Sequence, residues 1–105
     1  MITTQVIDTS RGVPASQISV ELDVFITGHG WREVGRGVTD DEGRIRTFGE
    51  PNAAGLYRLM FDVATFIPDC FFPSIAATFP VDDPQQVYHV PLLVSRFGYT
   101  TYRGN

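Results

Sequence analysis

Apolar residues recur at every second position along much of this chain. From Ile18 to Ile26 every even position is apolar (Ile18, Val20, Leu22, Val24, Ile26), whereas Ser19, Glu21, Asp23 and Thr27 are polar and only Phe25 breaks the rule. A period of two marks a half-buried β-strand, whose successive side chains point to opposite faces. Tyr57, Leu59, Phe61 and Val63 repeat it against Arg58 and Asp62, and Ile75, Ala77, Phe79 and Val34, Arg36, Val38 repeat it more weakly. Turn-forming clusters separate these runs: Arg11-Gly12-Val13-Pro14, Gly28-His29-Gly30, Asp40-Asp41-Glu42-Gly43, Pro51-Asn52-Ala53-Ala54-Gly55 and Asp82-Asp83-Pro84. The spacing predicts an all-β sandwich or barrel, with strands near 3–8, 18–27, 31–38, 44–48, 57–65, 73–79, 87–94 and 97–103. Thr65–Phe72 carries Pro68 and no clear period, and is expected to hold one short helical segment.

The strand at 87–94 differs from the rest. Val87, His89, Pro91 and Leu93 share one face and Tyr88, Val90, Leu92 and Val94 the other, so both faces are largely apolar. A sandwich of one chain covers only one face of each sheet, so the second face is expected to meet another subunit. Pro91 is awkward there, because proline lacks a ladder donor and prefers edges or bulges.

Composition narrows the function. The 105 residues suit one domain over 1–105, and 43% hydrophobic with 19% charged residues suits a packed core rather than a disordered tail. A net charge of −4 argues against nucleic-acid binding. The absence of lysine excludes Schiff-base chemistry. Cys70 is alone, so neither an internal disulfide nor a multi-cysteine metal site can form. No apolar run approaches the ~20 residues of a membrane span, and Met1-Ile2-Thr3-Thr4 lacks the basic start of a signal peptide, so a cytoplasmic location without membrane contact is expected.

Of the residues that could carry chemistry, His89 reads on type alone either as a general base or as a structural histidine, and Arg44 either as an anion ligand or as a solvated arginine after a turn. His29 falls at a loop tip. A cysteine hydrolase built on Cys70 and His89 is a rival with no local nucleophile signature.

Four motifs separate these readings. Thr3-Thr4-Gln5-Val6-Ile7-Asp8-Thr9 with Gly12-Val13-Pro14-Ala15, then Asp41-Glu42-Gly43-Arg44-Ile45, Tyr88-His89-Val90-Pro91-Leu92-Leu93-Val94-Ser95 and Phe97-Gly98-Tyr99-Thr100-Thr101-Tyr102-Arg103-Gly104-Asn105 resemble segments of the transthyretin-like family. The Gly-Arg segment and the Tyr-Arg-Gly tail are those of its enzymatic branch, the 5-hydroxyisourate hydrolases, rather than of its hormone carrier. The resemblance implies two four-stranded sheets, one with strands 3–8, 44–48, 87–94 and 97–103, the other with the remaining four. It also implies subunits paired through their final strands, and two such dimers stacked into a homotetramer around a channel. Gln5, Ile7, His89, Pro91, Leu93, Thr100 and Tyr102 would face that channel.

The implied reaction opens the ring of 5-hydroxyisourate with water and uses no metal or organic cofactor. Within it the resemblance assigns His89 as the base, Arg44 as the ligand of the ring and of the developing oxyanion, and Gln5 as a third catalytic position. Thr100, Tyr102, Arg103, Gly104 and Asn105 complete the substrate-binding set, with Tyr102 as the channel floor, Gly104 admitting close backbone approach and Arg103, of opposite parity, tying down the tail. Two positions depart from the branch: Gln5 stands where it carries histidine, and Asn105 where it carries serine. Glutamine hydrogen-bonds but does not transfer protons near neutrality. The alternative is therefore a non-catalytic binding or scaffold relative that lost the strand-1 histidine.

Overall fold

The computed structural model describes residues 1–49 and 53–104. Within them lie nine strands: β1 (Ile2–Asp8), β2 (Val13–Pro14), β3 (Ser19–Ile26), β4 (Gly30–Val38), β5 (Arg44–Ile45), β6 (Gly55–Asp62), β7 (Ser74–Val81), β8 (Tyr88–Val94) and β9 (Tyr99–Thr101). One sheet runs β4-β3-β6-β7. The other runs β2-β1-β8-β9, with β5 also paired to β1. This is the transthyretin-like sandwich, and each expected strand lies in the expected sheet.

Three details differ from the sequence reading. The second sheet has five strands rather than four, because the turn at 11–14 closes tightly enough for Val13 and Pro14 to pair with Asp8 and Ile7. The carboxylate of Asp8 accepts from the N–H groups of Ser10 and Arg11 and so shapes that turn. No helix forms over 65–72. Ile67 N–H donates to the Val63 carbonyl at 2.9 Å, one α-turn, and Pro68 has no N–H with which to continue it. The alternation in β4 also reverses: Val34 and Val38 are exposed. A bulge between Leu22 and Asp23 of β3 leaves Val34 unpaired, and inward positions fall to Gly35 and Gly37, whose missing side-chain space is filled by Phe48 and Ile45.

Elsewhere the period of two sorts the chain as read. Val20 and Leu22, Leu59 and Phe61, and Ile75 and Ala77 face across to Ile2, Val6, Val90 and Leu92, all buried. Each large core side chain contributes about 1.5–3 kcal/mol of apolar burial. The core thus anchors the even positions of β1 and β8, and the odd positions of both strands must point out of the sandwich. No helix among the described residues is long and apolar enough to cross a membrane.

Pro91 sits inside a strand paired on both sides. β9 pairs with β8 as far as Thr101↔Leu92, and pairing resumes, in the same register, only at Gly104↔His89. The interruption falls opposite Pro91, where the ladder donor is missing. There the Thr101 hydroxyl donates to the Pro91 carbonyl at 2.8 Å instead.

On the outer face of the four-stranded sheet, the carboxyls of Asp23, Glu21 and Glu33 cluster with the guanidiniums of Arg58 and Arg36. Asp23 is 1% exposed and takes both Nε and an Nη of Arg58 on Oδ2, while its buried Oδ1 has no donor if every neighbour is ionised. Arg36 lies 2.8 Å from both Glu21 and Glu33, yet only Glu33 is held below the ordinary carboxylate range. Glu21 is raised to about 7, first by its hydrogen bond to Asp23, then by burial and by the Asp23 charge. A protonated Glu21 supplies the donor that Asp23 lacks, and leaves two carboxylates facing two guanidiniums. At a pKa of about 7 the shared proton and the full Glu21–Arg36 ion pair coexist at neutral pH, and the shared proton takes over as pH falls.

Candidate functional site

The register of the five-stranded sheet brings distant residues together. β1 runs parallel to β8 with Thr3 opposite His89 and Gln5 opposite Pro91, and antiparallel to β5 with Gln5 opposite Arg44. Cross-strand partners share a face. Thr3, Gln5, Arg44 and His89 therefore project from the outward face into one open groove of ≈ 370 Å³, flanked by Arg46 and Val87.

Arg44 is placed by the turn before it. The Asp40 carboxylate accepts from the N–H groups of Glu42 and Arg44, both at 2.9 Å, and the Gly43 N–H donates to the Asp40 carbonyl. Gly43 has φ +77, and any Cβ there would lie 2.4 Å from the Val6 carbonyl oxygen, so the turn demands glycine. Arg46 pairs with Glu42 at 3.3 Å. By contrast, the guanidinium of Arg44 has no hydrogen-bond or ion-pair partner among the described residues. A half-buried, unpaired guanidinium in a groove is a ready ligand for paired carbonyls or an oxyanion.

His89 is held from two sides. Its Nδ1 lies 2.7 Å from Thr3 Oγ1. Its carbonyl accepts from the Gly104 N–H at 2.7 Å, and a Cβ on Gly104 would meet the imidazole Cδ2 at 2.8 Å. The tail thus needs glycine because it lies directly against the ring. Burial, then the charge of Arg44, lowers the pKa of His89 below the ordinary imidazole value. The ring is accordingly neutral at neutral pH and offers one lone pair. The Gln5 amide donates to the Glu42 carbonyl at 3.2 Å, which ties β1 to the turn preceding Arg44.

The other residues singled out by sequence lie apart. Thr100 pairs with Leu93, about 13 Å along β8 from His89. Tyr102 and Arg103 border a different opening, and Arg103 stacks 4.5 Å over the Tyr88 ring and donates to Gln86 Oε1 at 3.3 Å. Asn105 lies outside the described residues. Cys70 contacts the Ser95 carbonyl beyond the far end of β8, and burial with the charges of Asp8 and Asp69 pushes its thiol up, away from nucleophilic form. His29 occupies a turn closed by its N–H to the Ile26 carbonyl. Sequence reasoning missed Thr3, although its parity with Gln5 was the available signal.

A larger opening of ≈ 500 Å³ separates β7 from β9. Its walls are mainly apolar, including Ala76, Phe79, Tyr88 and Tyr99, and hold no histidine. Size alone is a poor guide here. The groove that joins an imidazole to an unpaired guanidinium has the means to move a proton and stabilise an anion.

The model of the HIUase/Transthyretin family matches residues 2–104. The uric acid degradation bifunctional protein TTL of Arabidopsis thaliana is 40% identical over 99% of this chain, which spans only 37% of that protein. A 5-hydroxyisourate hydrolase of Salmonella dublin is 35% identical over 100% of this chain and 81% of its own. The solved 5-hydroxyisourate hydrolase of Klebsiella pneumoniae superposes with a TM-score of 0.85 at 28% identity, covering 99% of this chain and 97% of its own.

Proposed function

This chain belongs to the HIUase/Transthyretin family, and on that premise we propose that it hydrolyses 5-hydroxyisourate to 2-oxo-4-hydroxy-4-carboxy-5-ureidoimidazoline. Family membership alone does not choose between hydrolase and carrier. The observation that carries the choice is the meeting of neutral His89 with unpaired Arg44 in one groove. His89 takes a proton from water as the oxygen adds to the ring carbonyl carbon. The electron pair moves to the carbonyl oxygen, where Arg44 stabilises it. Collapse breaks the ring C–N bond, the leaving nitrogen receives the proton from His89, and the new carboxylic acid releases its remaining proton to solvent as a carboxylate. Gln5 orients the water or the ring and takes no proton.

The assembly we propose is a homotetramer, supported by the apolar Ile7 and Leu93, which lie on the outward face of β1 and β8 and are only half-buried within one chain, whereas Pro91 between them is already covered by the tail at Gly104. Thr100 and Tyr102 would complete the binding surface where subunits meet. Light scattering should then report about four times 11.7 kDa. The compartment we propose is the cytoplasm.

Gln5 favours a second reading, a binding or scaffold relative that retained the groove without the proton-transfer pair. The deciding measurement follows the ultraviolet decay of freshly generated 5-hydroxyisourate, corrected for its spontaneous loss. Acceleration by the protein supports the hydrolase, and decay at the spontaneous rate supports the scaffold.

A further inference from the structure

A neutral imidazole carries one proton, and the chemistry of His89 depends on which nitrogen holds it. Nδ1 faces Thr3 Oγ1 at 2.7 Å across the parallel β1–β8 register, and the contact is partly buried. A threonine hydroxyl can serve that contact in two ways, because it both donates and accepts. If Thr3 donates, Nδ1 uses its lone pair on Thr3, the proton sits on Nε2, and no basic nitrogen faces the groove. If Nδ1–H donates, Nε2 keeps its lone pair and can accept a proton from water.

We infer that Thr3 is a positioning residue for His89: it accepts from Nδ1–H, fixes that tautomer and leaves Nε2 as the basic atom. This rests on the hydrolase reading above only for its catalytic consequence; the tautomer itself is a property of the folded chain. Three features of the site support the assignment. Thr3 borders the groove, so its own hydroxyl proton has solvent or substrate as an acceptor and need not go to Nδ1. The charged groups lining the groove are Arg44 of β5 and Arg46 just beyond it, with no carboxylate among the described lining residues. An orienting carboxylate would favour the imidazolium, as in a Ser-His-Asp triad. A neutral hydroxyl orients the ring without adding that charge, so the base stays unprotonated beside Arg44. Gly104 blocks the opposite side, so the ring cannot swing to another partner without losing contact with Thr3.

The test uses the full chain labelled with ¹⁵N-histidine and carrying His29→Gln, which leaves one imidazole in a protein whose other histidine lies in an exposed turn. The expected ¹⁵N shifts place the proton of neutral His89 on Nδ1. Thr3→Val, which keeps the shape but loses the hydroxyl, should move the population toward Nε2–H, and Thr3→Ser should restore Nδ1–H. In turnover, Thr3→Val should lower kcat by roughly 5- to 10-fold, the scale of one hydrogen bond, with KM changed by less than about 2-fold and with recovery in Thr3→Ser. A parent spectrum showing Nε2–H, or a Thr3→Val spectrum identical to the parent, overturns the inference. If Thr3→Val fails to fold, the parent spectrum and Thr3→Ser still decide it. If the parent does not accelerate 5-hydroxyisourate decay, the hydrolase reading fails while the spectra still judge the role of Thr3.

Discussion

Replacing Gly104 by alanine puts a methyl carbon 2.8 Å from Cδ2 of His89 and 3.4 Å from Cγ of Pro91. Carbon atoms prefer about 3.5–4.0 Å, so either ring or tail must shift by about 0.7–1.2 Å. Pro91 is fixed within β8 and cannot yield. If the imidazole yields, its 2.7 Å contact with Thr3 breaks; if the tail yields, the 2.7 Å bond from Gly104 N–H to the His89 carbonyl breaks. Either route forfeits one hydrogen bond, about 0.5–1.5 kcal/mol, which lowers Tm by roughly 4–8 °C per kcal/mol in a domain of this size. The catalytic cost is larger, since a displacement of about 1 Å at a reacting group can cost up to 10²-fold. We therefore expect kcat for 5-hydroxyisourate to fall by roughly 10- to 100-fold with a fold that still melts cooperatively. Stopped-flow absorbance at saturating substrate measures the first quantity and calorimetry the second. An alanine variant with the parent kcat would refute the argument, because the base could not then be held where the tail meets it.

Further outcomes follow from the structure. His89→Ala should lower kcat by roughly 10²–10⁴-fold, and Arg44→Ala should chiefly weaken substrate capture; in the parent, the acid limb of kcat/KM should lie below the ordinary imidazole value of about 6.5, because burial and Arg44 keep His89 unprotonated. Gln5→His should raise turnover by roughly 10-fold by adding a second proton-transfer group and should change the pH–rate profile near neutrality; an unchanged rate would remove position 5 from the proton path. The folded-state pKa of Glu21 lies above its unfolded value of 4.5, so its contribution to stability is complete below that value and is lost as pH rises through about 7. Glu21→Gln keeps a donor to Asp23 at every pH, so its Tm relative to the parent should climb between those limits, and a flat difference would refute the shared proton.

The strands were legible because alternation is a local property, and the core at Val20, Leu22, Leu59 and Phe61 enforces it. What escaped was set by neighbours distant in sequence. Val34 and Val38 face outward because Ile45 and Phe48 already fill the space under β4, a fact that no window around residue 34 contains. Asp23 looked like an ordinary outward carboxylate; its burial depends on Arg58 from another strand. At the site, alternation put Gln5 on one face of β1 and His89 on one face of β8, but only the parallel register brings Thr3, rather than Gln5, opposite the imidazole. Arg103 was legible as a tether of the tail from its parity, but its anchor, the Tyr88 ring, was not.

The hydrogen bond between Thr3 and His89 closes a loop of 86 residues, and the first strand lies against the last part of the chain along its whole length. During synthesis on the ribosome, every groove residue except Val87 and His89 emerges early, yet β1 has no partner on its β8 side until residues 88–94 leave the exit tunnel. Contacts so far apart are slow to form, because chain entropy is lost before any of them stabilises the fold. The four-stranded sheet, built from sequential antiparallel pairs, can assemble first and hold its apolar inner face for the later arrival. On that order, His89 meets Thr3 and Arg44 only in the event that adds β8 and completes the core.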